Sequence, residues 1–122
     1  MTRARKGLGQ RGEGLAAAYL EAHGLKIVAR NIRTPVGEID LLGLDGPVWV
    51  FIEVRTRRGG AYGTPEESIT RTKQARMLAA AQHYIQNHNL QDADWRIDAV
   101  AVELSASGAV QRIELIRSAE EG

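Results

Sequence analysis

The chain has 122 residues, 43% of them hydrophobic, which suits one domain with one modest core and leaves little room for a second. It has no cysteine, which excludes a disulfide framework, a zinc-thiolate site and a cysteine nucleophile, and suits the cytoplasm. The net charge of +1 hides a strong alternation: residues 1–33 carry +5, residues 38–53 carry −4, residues 55–76 carry +4, and the stretch from 92 onward carries −4. An acidic segment between two basic ones is the charge layout expected of a metal-dependent enzyme acting on a polyanion, although charge runs also arise as solvated faces. No apolar run approaches membrane-spanning length and the basic start lacks the apolar stretch of a signal peptide, so no membrane partner is expected.

Residues 1–7 read as a flexible, basic N-terminus. From Gly12 to His23, the residues Glu13, Leu15, Ala16, Tyr19, Leu20 and Ala22 recur at helical spacing and Gly24 follows as a stop, giving a first helix with Glu13 in its first turn. The helix dipole favours an acid there whatever else it does. Lys26 to Arg33 alternates as a first strand, and two more strands form a hairpin around Asp45-Gly46. Residues 57–66 form a glycine-rich loop carrying Arg57, Arg58 and Tyr62, able to follow a nucleic-acid backbone or to be a plain surface loop. Thr64-Pro65-Glu66-Glu67 has capping-box spacing, so a second helix starts there or at Thr70 and runs to about His88, burying Ile69, Leu78, Ala81 and Ile85. Trp95 to Leu104 and Val110 to Ile116 read as two last strands joined by Ser105-Ala106-Ser107-Gly108. The order αβββαββ gives an α/β class, a mixed sheet flanked by helices in a single domain over 1–122.

Gly37-Glu38-Ile39-Asp40 and Phe51-Ile52-Glu53-Val54-Arg55 place acids inside apolar strands, where an unpaired carboxylate is costly. Side chains alternate along a strand, so any even hairpin loop puts Glu38, Asp40, Glu53 and Arg55 on one face. A two-residue turn at Asp45-Gly46 makes Glu53 the diagonal neighbour of Asp40, and a four-residue turn puts it directly opposite. At about 5 Å the two acids repel by roughly 3 kcal/mol at an effective dielectric near 20, so a positive partner is required. A divalent cation such as Mg²⁺ would meet that need and activate water against a phosphate, and Arg55 as an ion-pair partner would meet it equally.

The smaller signals carry less. Gly7-Leu8-Gly9-Gln10-Arg11-Gly12 matches GxGxxG but no strand precedes it, so the dinucleotide-binding context is missing. His23, His83 and His88 do not share a face suited to a metal. Asp98 has no partner by spacing and reads as a structural hydrogen-bond acceptor.

Taken in order, Gly12-Glu13, Tyr19-Leu20, Arg30-Asn31, Gly37-Glu38-Ile39-Asp40-Leu41, Phe51-Ile52-Glu53-Val54-Arg55, Lys73 and Arg96-Ile97-Asp98 resemble the YraN-type bacterial family UPF0102 over roughly residues 7 to 117. That family is placed among the PD-(D/E)xK nucleases, near the archaeal Holliday-junction resolvases. The resemblance implies a restriction-endonuclease-like core, with Asp40 and Glu53 as metal ligands and Glu13 as a third acid. The last residue of the signature is usually Lys and here is Arg55, which stays protonated and cannot act as a base. In several members of the superfamily the lysine comes from the following helix, where Lys73 stands.

The resulting expectation is an endonuclease dependent on Mg²⁺ or Mn²⁺, acting on branched or otherwise structured DNA. Asp40, Glu53, Arg55 and Lys73 would carry the chemistry, and Glu13, Asp40 and Glu53 would hold the metal. Arg11, Arg30, Arg33, Arg57, Arg58, Arg71 and Arg76 would contact the nucleic acid, and a homodimer would suit a junction. The alternative is a non-catalytic nucleic-acid-binding protein in which Arg55 replaces the metal.

Overall fold

The computed structural model describes the backbone of residues 3–59 and 63–121 and the side chains of 7–59 and 63–117. The elements run α1 (Arg3–Ala22), β1 (Lys26–Thr34), β2 (Gly37–Asp45), β3 (Val48–Arg58), a short 3-10 helix (Glu66–Ser68), α2 (Arg71–Asn87), β4 (Trp95–Leu104) and β5 (Val110–Glu121). They build one five-stranded sheet in the order β1-β2-β3-β4-β5. Only β3 and β4 pair in parallel, because the crossover through α2 returns the chain in the same direction. The other pairings are antiparallel.

The central strands bury both faces. Val50, Ile52 and Val54 of β3 pack with Val100, Val102 and Leu104 of β4 beneath Ala16, Ala17 and Leu20 of α1. Phe51 and Ile97 face the opposite way, with Ile39 and Leu42, beneath Met77, Ala80, Ala81 and Ile85 of α2. The result is a helix, sheet, helix sandwich, the αβββαββ arrangement expected of the sequence.

The boundaries differ from expectation at α1, at the end of β3, which runs through Arg57 and Arg58 where a loop was expected, and at β5. The hairpin and α2 each take one of the two alternatives that the sequence left open. α1 starts at Arg3 rather than Gly12, since Leu8 packs on the core and that burial outweighs the helix cost of Gly7 and Gly9. The basic stretch 1–7 is therefore helical from residue 3, while residues 1 and 2 lie outside the described residues. Of the two hairpin registers the sequence allows, the structure takes the one that pairs Leu44 with Trp49, tightened by one further pair, Asp45 with Val48, to a two-residue turn at Gly46-Pro47. Gly46 has φ +59, the conformation a type II′ turn demands at its first central position, and Pro47 suits the second. The Thr64 capping signal gives only the 3-10 turn, while the Thr70 hydroxyl accepts from the Lys73 N–H and caps α2. β5 continues five residues beyond Ile116.

Candidate active site

The site forms where β2 and β3 part. Their ladder runs from Asp45 and Val48 to Leu41 and Ile52, which is the register that sets Asp40 opposite Glu53. Past that point the Val54 N–H donates to the Asp40 carboxylate at 2.8 Å instead of to a strand carbonyl. Asp40 thus replaces a rung of the sheet while turning its charge toward the gap.

A break in β1 accompanies this. Asn31 has φ +52, a left-handed residue inside a strand, and the pairing of β1 with β2 skips the Asn31 and Asp40 positions. Ile39 and Leu42 consequently both face α2 although they are three residues apart, as do Ala29 and Ile32. With its amide nitrogen turned toward them, Asn31 donates to Glu13 at 3.1 Å and to Glu38 at 3.2 Å.

The gap opens into a cleft of about 310 Å³ lined by Gly37, Glu38, Asp40, Glu53, Arg55, Lys73, Arg76 and Met77. Lys73, Arg76 and Met77 share one face of α2 at the i, i+3, i+4 spacing. α2 lies close above β2, for a Cβ on Gly37 would stand 3.1 Å from the Arg76 carbonyl oxygen. The glycine before Glu38 is what lets the basic helix face meet the acids.

Asp40 lies within reach of the charges of two other carboxylates, Glu13 and Glu53. The Asp40 carboxyl is pushed up to about 7, first by burial and further by the charges of Glu13 and Glu53, against the Val54 hydrogen bond and the Arg55 charge. Burial also raises Glu13, and the Glu38 charge adds to it, while the Asn31 hydrogen bond and Arg30 oppose. Glu53 is buried and its partner is Arg55, whose Nη2 donates to its carboxylate. The Arg55 Nε is buried with no hydrogen-bond partner among the described residues.

The donor chemistry fits a hard divalent cation, because Asp40 and Glu53 offer oxygen ligands and Asp40 carries charge that a cation would relieve. Among the described residues, however, no group of three or more Asp, Glu, His or Cys side chains is arranged to hold a metal ion. Glu13 reaches Asp40 through its charge, from α1.

Of the expected residues, Asp40, Glu53, Arg55, Lys73 and Arg76 meet in the cleft. Arg30 lies close enough to Glu13 to act on its charge. Arg33 and Arg71 are exposed outside the cleft lining, as are Arg11 and Arg58, and Arg57 is half-buried. Tyr62 lies outside the described residues. Two participants were not anticipated. Met77 floors the cleft, and Asn31 links Glu13 to Glu38; a lone Asn in an alternating strand was the available signal.

Asp98 is fully buried and accepts from Arg96 Nε at 2.8 Å, the structural role expected of it. Its partner stands two residues earlier on the same strand. Arg96 reaches Asp45 as well, at 3.0 Å.

The family model of the uncharacterised protein family UPF0102 matches residues 12–102, which include Glu13, both acidic strands, Lys73 and Asp98. The chain belongs to that family. A UPF0102 protein of Dehalococcoides mccartyi is 50% identical over 115 residues, spanning 94% of this chain and 93% of that protein. One from Beutenbergia cavernae is 44% identical over 94% of this chain and 97% of its own length. Another, from Moorella thermoacetica, is 42% identical over 98% and 99% of the two chains. The family assignment agrees with the resemblance read from the ordered motifs.

Proposed function

We propose that the cleft binds a divalent cation and hydrolyses phosphodiester bonds in DNA, on a core like that of the restriction endonucleases. The observation that carries this is the convergence on Asp40 of charge from Glu13 and Glu53, beside Lys73 and Arg76. A strand pair that needed only stability would hold apolar residues at these positions. Asp40 and Glu53 would hold Mg²⁺ or Mn²⁺, with Glu13 contributing directly or through water. The cation would supply Lewis acidity toward the phosphate and a more acidic bound water.

The protein's own groups have separate tasks. Asp40 is fixed by the Val54 N–H and cannot rotate away without losing that bond. Lys73 projects from the capped first turn of α2 toward the cleft and would position the attacking water or a phosphate oxygen. Arg55 stays protonated and would neutralise charge developing on the phosphate. The cysteine-free composition supports a reducing compartment, hence the cytoplasm. A two-fold dimer would present two such clefts to a branched substrate.

Cleavage of duplex, single-stranded and four-way-junction DNA with Mg²⁺ or Mn²⁺ tests the reading directly. The expected result is metal-dependent cleavage that Asp40→Asn abolishes, and cleavage undiminished in that variant would dismiss this site. The ion pair between Arg55 and Glu53 favours a second reading, in which arginine stands in for the metal and the protein only binds DNA. Calorimetric titration with Mn²⁺ separates the two: the catalytic reading requires binding that Arg55→Gln tightens. The second reading predicts none in the native protein.

A further inference from the structure

The glycine at the β4 to β5 turn, Gly108, has φ +92 and is buried. A methyl group there would stand 2.9 Å from Nη1 of Arg11 and 3.6 Å from Nη2 of Arg58. The guanidinium groups of α1 and of the end of β3 therefore converge on one point, no farther apart than those two distances together. Arg58 is held in place, its Nε donating to the Ala106 carbonyl at 3.0 Å. Among the described residues neither arginine forms an ion pair with a carboxylate. That sets them apart from Arg55, with one such partner, Arg96, with two, and Arg112, with three. Two neighbouring cations, one of them held by the backbone, with no ion-pair partner among the described residues, describe a place for an external anion.

We propose that Arg11 and Arg58 form a phosphate clamp at the β4 to β5 turn, a contact point for the nucleic-acid backbone separate from the cleft. The inference rests on the nucleic-acid reading above and extends it to a footprint. Arg58 pairs with Leu104 at the end of the parallel ladder, on the face of the sheet that α1 covers, whereas Glu53 lies on the α2 face, so a backbone that meets both must pass around the end of the sheet. Five residues of strand separate Glu53 from Arg58, roughly 16 Å at the rise of an extended chain. One nucleotide cannot span that distance, whereas about five base pairs of duplex, at 3.4 Å each, can. The anion is the phosphodiester group, whose two free oxygens match the forked N–H donors of the two arginines. Gly108 belongs to the clamp because any side chain there would occupy the space between them.

Fluorescence anisotropy of a labelled 20-base-pair duplex over a range of salt concentrations tests this. The slope of log affinity against log salt should shrink by about one in Arg11→Gln/Arg58→Gln, since each lost phosphate contact removes about 0.9. Arg11→Lys/Arg58→Lys, which keeps both charges, should restore most of the slope, and a dinucleotide should bind the native and double-Gln proteins equally. Comparable thermal unfolding of the three proteins shows that folding is not at issue. An unchanged slope in the double-Gln variant, with a slope reduced by Lys73→Gln/Arg76→Gln, overturns the clamp and leaves the cleft reading standing. No salt-dependent binding by the native protein overturns both.

Discussion

Asp40 bears two demands that conflict. Its carboxylate replaces a backbone partner for Val54, and its charge sits among Glu13 and Glu53 in a mostly desolvated gap. Its folded pKa of about 7 lies above the ordinary carboxylate value, so between about pH 4 and 7 the folded state binds the proton more tightly than the unfolded chain. Stability attached to this group is complete below that window and is lost as pH rises through it. Asn keeps the acceptor for Val54 and cannot ionise. Asp40→Asn should therefore match the native protein near pH 4 and exceed it at pH 8 by on the order of 4 kcal/mol, measured by urea unfolding at both values. A constant gap across pH would show that Asp40 is not strained by its neighbours. A residue that lowers stability at neutral pH is what the proposed site requires, since a strand kept for stability alone would not hold it.

At the scale of elements, the position of α1 decides whether Glu13 can take part. Gly12 is buried against β3, and a Cβ on it would collide with the Thr56 hydroxyl. Gly14, two residues on, faces open space within 4 Å. Alanine should have opposite effects at the two sites. Gly14→Ala gains about 0.5 to 1 kcal/mol from helix propensity, while Gly12→Ala loses about 1 to 3 kcal/mol through overpacking. Thr56→Ala should recover most of the Gly12→Ala loss in a double-mutant cycle. Equal stabilisation at both positions would mean that α1 does not pack this closely.

These elements also show which parts of the molecule were legible in the residues. Apolar periodicity or continuous apolar runs between turn signals placed the strands and α2, and even parity across the hairpin was enough to bring Asp40 to Glu53. What escaped depends on contacts distant in sequence or on irregular backbone. The left-handed Asn31 flips the facing of two strands, and no period in the sequence announces it. Helix α1 begins nine residues early because packing overrides the glycines. The meeting of Arg11 with Arg58 at Gly108 requires three separate elements to be in place.

Across the whole molecule, charge is gathered into separate clusters rather than spread evenly. At the end of β3, acids and bases are left under-compensated around the cleft and the Gly108 turn. Toward the β2 to β3 turn, Arg96 joins Asp98 and Asp45, tying β4 to the hairpin with charges that neutralise one another. At the rim, Arg112 gathers Glu66, Glu103 and Glu114 and so fastens the 3-10 turn after the glycine-rich loop to β4 and β5. Stability and function should then be separable by location. Removing Arg96 takes a partner from a fully buried carboxylate, a change that typically costs about 3 to 5 kcal/mol. Arg96→Met should lower the unfolding midpoint strongly and yet, assayed at a temperature where it is still folded, leave the salt slope for DNA and the Mn²⁺ titration as in the native protein. Asp40→Asn should do the reverse at pH 8, more stable and without cleavage. If Arg96→Met changed the salt slope as much as the loss of Arg11 and Arg58, the two clusters would be coupled, and the under-compensated charges could not be assigned to ligand binding alone.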